Sequence, residues 1–517
     1  MNPDLIIVLV YFASIMLAAL SGQSDKELSK EAYFLSNRNL RWYSVAISTI
    51  ATNVQGYQFL GMMGSAYLFG LAQANLEINA MQGILMAAFI FVPLYLKEKV
   101  ITITQFIQLR LGKRVGLVYS LANLALFSTI GLGAALFWGA YAADIVFQQE
   151  LLFISDDPIT RIAWMIAGLG IFSAIYTYLG GLSAVVRTDL IQFAILFVGG
   201  TVVLFVAIHH LGGWSQLYEQ TPELMHLHLP AEHPKLPWTA IGGMFLLNIN
   251  YWCANQTVIQ RSLAARSLRD AQVGLMVGGV MKYFMAIIII VPGIALAGIL
   301  ADNPLSDPDQ SFPYLVSNYL PTGVKGLILC ALFASLMSTV DSTFNSLATL
   351  WSVDIYKGYF RPEATDSQMV AAGRRTILFT LLTGVTMGCV LLYIKFNDPQ
   401  SAFTHTLNEL RYYINCGIVA IICAAAFLLA PNHRLSLWAF LSTVPLHLTL
   451  QFFFPDMNYI VRAMWVILIA FFIIAIPTLA RNGTRPINDF IKAASPDLAK
   501  AGWGLLLSLA ILHWLFH

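Results

Sequence analysis

Apolar residues along this chain come in long runs, not at alternating or heptad spacing. Fourteen stretches read as crossing helices: 3–21, 42–70, 72–95, 115–147, 159–180, 186–210, 237–259, 271–300, 322–352, 373–396, 404–430, 434–454, 458–480 and 498–516. Each reaches or exceeds about the 20 residues that a helix needs to cross a hydrocarbon core of about 30 Å. Backbone groups in hydrocarbon must be paired within their own segment, so spans this long are helical. The pattern predicts an all-α polytopic membrane protein. Between the spans, 211–236 and 301–321 are rich in Pro, His and acidic residues and read as loops or short surface helices. The segment 97–114, KEKVITITQFIQLRLGKR, reads as an amphipathic helix on the cytoplasmic side.

Polar residues interrupt three of these runs. In 47–61, ISTIATNVQGYQFLG, a helix break would free carbonyls inside the membrane, which is tolerated only where they face protein or a cavity. Helix packing through small and polar residues is the alternative. In 248–256, NINYWCANQ, amides flank two rings, which suits a small-molecule pocket or an interfacial aromatic belt. The third run contains ASLMSTVDSTFNS from residue 334. Ser335, Ser338, Thr339 and Ser342 follow the i, i+3, i+4, i+7 spacing of one helix face, beside an Asp341/Asn345 pair. Hydroxyls and a carboxylate gathered this way offer the oxygens that a hard cation such as sodium requires. Three ionisable residues also fall in or near spans: Glu77, Asp189 and Lys282. Such groups mark functional sites by default. Glu77 and Asp189 lie near expected helix ends and are alternatively interfacial; Lys282 is alternatively one half of a structural ion pair.

Composition agrees with the runs. The chain of 517 residues is 58% hydrophobic and 11% charged, against about 25% charged in soluble domains. No soluble domain or low-complexity tract is expected. A net charge of +2 argues against a nucleic-acid partner, leaving the lipid bilayer and a small solute. The five cysteines lie in or beside apolar spans without metal-ligand spacing. Half of the ten histidines cluster in or beside the outer loop 211–236 (His209, His210, His226, His228 and His233), no catalytic triad is visible within the spans, and an enzyme is not expected. The first run lacks a basic leader and reads as a retained helix. Most of the 29 Lys and Arg residues fall in alternate loops, which places both termini on the extracytoplasmic side.

Three blocks carry a family resemblance: YLGGLSAVVRTDLIQ (178–192), NQTVIQRSLAARSLRDA (255–271) and ASLMSTVDSTFNSLATLWSVDIYKGY (334–359). Together they resemble the sodium/solute symporter family, most of all its bacterial sugar-transporting branch, from residue 3 to about 430. The resemblance implies a LeuT-type fold of two inverted five-helix repeats, 42–210 and 237–430. An extra helix, 3–21, would precede them, and peripheral helices, 434–516, would follow. It also implies a multi-pass protein of the bacterial inner membrane. Sodium would be the coupling ion, with no organic cofactor and no obligate protein partner.

Carried over by position, the sodium ligands would be the carbonyls of Ala51, Val54 and Ser335 and the hydroxyls of Ser338 and Thr339. A candidate second cation site would use Asp189, Asp341 and Ser342. Solute contacts would come from Asn53, Gln58, Glu77, Asn248, Lys282 and Asn408, with Tyr251 and Trp252 as the gate. Departures from the family pattern are Ser335 for Ala, Asp341 for a hydroxyl, Tyr57 for Glu, and Ala80 and Gly131 where contacts occur. No arginine is expected beside the solute residues, which argues against a carboxylated solute. The expected activity is sodium-coupled import of a sugar or polyol. The alternatives are another solute (inositol, a nucleoside, sialic or another carboxylic acid), proton coupling, or a sensor or channel on the same scaffold.

Overall fold

The computed structural model describes residues 3–21, 29–55, 58–397, 403–486 and 495–517. Among the described residues the regular structure is helical, with only isolated β-bridges such as Leu40 to Ala265. Eleven helical stretches are long and apolar enough to cross a membrane. They reconcile with the fourteen expected crossings through three local features.

The first is Pro158–Leu211, a continuous helical stretch of 54 residues. At 1.5 Å per residue it would be about 80 Å long if straight, far more than one crossing. It bends instead at Gly181, whose φ of 55° is left-handed. A side chain there would also meet the Tyr33 carbonyl at 2.4 Å. Two crossings are thus joined by a one-residue corner where the sequence suggested a short loop.

The other two features are breaks. One helix, Trp42–Asn53, stops and resumes at Gln58 before running into Met63–Phe69. Another, Ile241–Cys253, stops and resumes as Gln256–Leu263. Its second half starts cleanly because the Asn255 side chain accepts the Thr257 N–H at 2.9 Å.

The helix Val324–Thr349 forms the centre. It packs against Pro158–Leu211, Pro3–Leu20, Asp366–Asn397, Leu132–Val146 and Trp42–Asn53. The apolar window of Val324–Phe360 is 94% buried inside the protein, whereas that of Pro496–Leu515 is only 17% buried. The central helix is therefore shielded from lipid over that window. The hydroxyls of Ser335, Ser338, Thr339, Ser342, Thr343 and Thr349 find protein partners, whereas the buried Asn345 amide has none among the described residues. The last three helices, His433–Phe453, Tyr459–Arg481 and Pro496–Leu515, expose Trp438, Phe452, Trp465, Phe472, Trp503 and Trp514 outward as a lipid-facing surface would. The 97–114 segment contains the expected short helix, Ile103–Leu111, capped by Thr102.

Candidate functional site

At the end of a helix the last carbonyls lose their backbone donors. At the first break, the Val54 N–H still donates to the Ile50 carbonyl at 2.9 Å. The Gln55 N–H does not return to Ala51; it donates to Gln58 Oε1 at 3.0 Å. Ala51 is buried, and its carbonyl is left without its helical donor. Side chains of the central helix fill this gap. Ser335 Oγ donates to the Val54 carbonyl at 2.7 Å. Thr339 Oγ1 lies 3.2 Å from both the Thr52 and Ser335 carbonyl oxygens and shares its proton between them. Ser338 Oγ donates to Asp189 Oδ1 at 2.5 Å, keeping its lone pairs for another partner. Three of the five expected sodium ligands, Val54, Ser335 and Thr339, thus meet at one seam with the Thr52 carbonyl; Ala51 is buried one residue before Thr52, and Ser338 bonds Asp189 instead.

The second expected set, Asp189, Asp341 and Ser342, lies just beyond and is fully buried. Tyr176 donates to Asp341 Oδ2 at 2.6 Å, and Ser342 Oγ lies 3.3 Å from Asp341 Oδ1. A guanidinium enters the same space. Arg261 contacts Ser342 Oγ and the Thr257 carbonyl, donates to Ser48 Oγ at 3.1 Å, and sits 3.7 Å from Asp189. Arg261 lies just past the expected end of the span 237–259, where a positive charge reads as a cytoplasmic loop residue. The structure corrects this: Arg261 is wholly buried, and Asp189 and Asp341 offset its desolvation. Asp189 is likewise not interfacial. It lies within the long helix and is inaccessible.

A cavity of about 170 Å³ opens beside the first break. It is small against the 300–1,000 Å³ typical of drug-sized pockets. All six residues expected to meet the solute line it: Asn53, Gln58, Glu77, Asn248, Lys282 and Asn408. Tyr251 and Trp252 line it too, with ring centroids 5.2 Å apart. Thr52 and Thr339, which meet at the seam, also reach its wall. Glu77 is buried rather than interfacial. It is held by Gln58 Nε2 at 2.7 Å and by Lys282, which also contacts Asn53. The ion pair considered for Lys282 therefore exists, and it faces the cavity. Gly83 lets the wall close up: a Cβ there would meet the Asn248 carbonyl at 2.7 Å and Trp252 Cδ1 at 2.8 Å.

The second break is closed differently. The carbonyls of Cys253 and Ala254 accept the phenols of Tyr95 and Tyr119, each at 2.7 Å.

Arg411 and Asn415 also reach the cavity, unforeseen from the sequence; Asn250 and Asn255, from the amide cluster at 248–256, line it as that cluster suggested, and so do Ala80 and Gly131. The expectation that no arginine lies beside the solute residues is therefore wrong. Arg411 lies near the start of the expected span 404–430, where a basic residue reads as a membrane-face charge. Its spacing from Asn408, at i+3, was the available signal. Tyr57 lies outside the described residues.

The model of the sodium:solute symporter family matches residues 33–442. The chain belongs to that family. It is 29% identical to a sodium/glucose cotransporter of Vibrio parahaemolyticus, over 99% of this chain and 98% of that one. It is 28% identical to sodium/glucose cotransporter 1 of Oryctolagus cuniculus and 29% identical to sodium/myo-inositol cotransporter 2 of the same organism. Both matches cover 84% of this chain, and 70% and 68% of theirs. The structure of a Na+-coupled sialic acid symporter superposes with a TM-score of 0.81 at 18% identity, over 94% of this chain and 99% of that one. The fold is thus of the LeuT type. The protein is an integral, multi-pass, sodium-coupled solute symporter and not an enzyme.

Proposed function

We propose that this symporter imports a small polyhydroxylated solute, a sugar or related polyol, by alternating access. One observation carries the reading: Thr52 and Thr339 belong both to the seam at the first break and to the wall of an amide-rich cavity. Sodium would bind the carbonyls of Ala51, Val54 and Ser335 and the hydroxyls of Ser338 and Thr339. It would thereby tie the broken helix to the central helix and fix the cavity wall at Thr52 and Thr339. The solute would then meet a preformed site. Coupling follows if each ligand favours the same state. Asn53, Gln58, Glu77, Asn248, Lys282 and Asn408 offer donors and acceptors for hydroxyls, and the rings of Tyr251 and Trp252 would form the inner gate. No bond is made or broken in the cycle. The inward-negative potential contributes about 2.3 kcal/mol per charge per 100 mV.

The second set, Asp189, Asp341 and Ser342, we assign to holding Arg261 rather than a second mobile cation. In this assignment Ser338 links sodium to that buried charge cluster through Asp189. We also place the protein in a bacterial inner membrane with both termini outward, and take 42–210 and 237–430 as the two repeats.

The test is solute uptake into proteoliposomes against a sodium gradient. Ser338→Ala should raise the sodium concentration for half-maximal uptake about tenfold, the effect of losing about 1.4 kcal/mol. Unchanged sodium dependence would remove Ser338 from the site. Sodium currents without solute accumulation would point to a channel instead.

A further inference from the structure

The geometry points to a binding site for one anionic phospholipid, with its phosphate at Arg266 and Arg269 and an acyl chain along the helix Leu268–Ile299. An open groove of about 450 Å³ is lined by Trp42, Arg266, Ser267, Arg269, Asp270 and Val273. It lies where the helices Trp42–Asn53 and Leu268–Ile299 begin, on the side that the Lys and Arg distribution assigns to the cytoplasm. The second helix has 32 residues. At 1.5 Å per residue it is about 48 Å long and overshoots a hydrocarbon core of about 30 Å, so its ends stand among the headgroups. Exposed Trp42 and Tyr43, with ring centroids 5.9 Å apart, mark the same depth.

The charges in the groove are unequally spent. Asp270 is occupied on both oxygens: Oδ1 accepts the Trp42 N–H at 3.1 Å, and Oδ2 accepts Arg266 Nε at 2.8 Å and Ser267 Oγ at 2.6 Å. Arg266 gives Asp270 only its Nε, and the half-exposed side chain keeps its two terminal nitrogens for another acceptor. Arg269 is exposed and has no hydrogen bond or ion pair among the described residues. Other arginines on this side are used to hold protein together. Arg38 donates to the carbonyls of Leu263 and Val100, Arg110 pairs with Glu98, and Arg374 donates to the Tyr178 carbonyl. Two guanidiniums against one committed carboxylate leave the groove net positive. Guanidinium forks at a membrane surface suit the oxygens of a lipid phosphate.

A second observation separates a lipid from a free phosphate. Arg269, Val273, Val277, Val280, Phe284 and Ile287 fall on one face of the helix. Past Arg269 that stripe is apolar, half-buried at Val273 and Val277 and exposed at Val280, Phe284 and Ile287. From Arg269 to Val280 is about 16 Å by helix rise, roughly half of a hydrocarbon core and the depth of one acyl chain. The surface thus runs from guanidinium to bare aliphatic side chains in the order in which a phospholipid presents its phosphate and its tail. The site also adjoins the transport machinery. Gly274 lets the two helices touch, since a Cβ there would meet the Trp42 carbonyl at 2.8 Å and Val45 Cβ at 2.7 Å. A phosphate held beside Trp42 would brace the start of the helix that breaks at Val54.

The experiment is lipid titration of the full chain in neutral detergent, read by native mass spectrometry and by melting temperature. The probes are phosphatidylglycerol, phosphatidylcholine and sn-glycerol 3-phosphate. Phosphatidylglycerol is expected to bind at least roughly tenfold more tightly than phosphatidylcholine, the effect of two arginines at the surface. Glycerol 3-phosphate, which has no tail, should leave the melting temperature unchanged. Arg269→Gln removes an exposed side chain without partners, so the variant should fold; its affinity for phosphatidylglycerol should drop about fivefold. Adding Arg266→Gln should erase the preference. Arg375→Gln, an exposed arginine on the helix Asp366–Asn397 outside the groove, should change nothing. If Arg375→Gln weakens binding as much as Arg269→Gln, the attraction belongs to the whole basic face and the inference is wrong. It is also wrong if phosphatidylglycerol shows no preference, or if Arg269→Gln leaves the preference intact. Glycerol 3-phosphate binding as tightly as the lipid would overturn it too, making the groove a site for a soluble phosphate.

Discussion

The two helix breaks release carbonyls in the same way and satisfy them in opposite ways. At 253–255 the acceptors take the phenols of Tyr95 and Tyr119, both at 2.7 Å and both wholly buried. At 51–54 they meet the hydroxyls of Ser335 and Thr339, at 2.7 and 3.2 Å. A phenol oxygen is held in place by its ring, and conjugation keeps its O–H in the ring plane. An aliphatic hydroxyl can rotate, and it accepts as readily as it donates. A cation arriving at the first break finds oxygens able to turn their lone pairs toward it. At the second break the same carbonyls are locked. The chemistry of the partner, more than the break itself, decides whether a broken helix is an ion site or a fixed joint.

The largest test of that contrast is to unlock the second break. Tyr95→Phe with Tyr119→Phe strands two buried carbonyls, at about 1–3 kcal/mol each. The melting temperature in detergent should fall substantially, while the protein that remains folded keeps its sodium half-saturation. A shift in sodium dependence as large as the loss of stability would mean that both breaks take part in ion binding.

A smaller effect is expected at the hinge of the first break. Gln58 has two bonds to keep: its Oε1 holds the Gln55 N–H away from Ala51, and its Nε2 holds Glu77. Gln58→Ala removes a hydrogen bond to a carboxylate, worth about 1.5–3 kcal/mol, from the cavity wall. It also lets the Gln55 N–H return to the Ala51 carbonyl. Uptake kinetics should show a solute half-saturation raised roughly ten- to hundredfold on that energy scale, and a sodium half-saturation raised by a few fold. Loss of solute affinity alone would show that the Ala51 carbonyl is not a ligand.

How much of this was legible from sequence divides along physical lines. Both breaks were visible as clusters of Asn, Gln and small residues inside apolar runs, because such residues have no other business in hydrocarbon. The stripe of Ser335, Ser338, Thr339 and Ser342 was visible from helical spacing. Its partners were not: spacing along one helix says nothing of Tyr176 meeting Asp341, or of Arg261 filling the gap between carboxylates. The two arginines misled for one reason. Charge counting assigns every Arg to a membrane face, and it fails where buried carboxylates or a wet cavity offset the desolvation. The corner at Gly181 was missed because a left-handed glycine allows a turn with no polar loop to announce it.

The smallest predicted effect is the sharpest probe of the first break. Ser335 contributes two oxygens to the seam, a hydroxyl that donates to Val54 and a carbonyl that faces Thr339. If sodium uses the carbonyl, Ser335→Ala leaves the ligand in place and frees the Val54 oxygen from a competing proton. The sodium half-saturation should then fall, by no more than about threefold, because a single neutral hydrogen bond is worth about 0.5–1.5 kcal/mol net and the carbonyl keeps a second lone pair. If sodium uses the hydroxyl, the same substitution should raise it about tenfold on that scale. The two outcomes have opposite signs, so sodium-titrated uptake of this one variant decides which oxygen of Ser335 makes the first break an ion site.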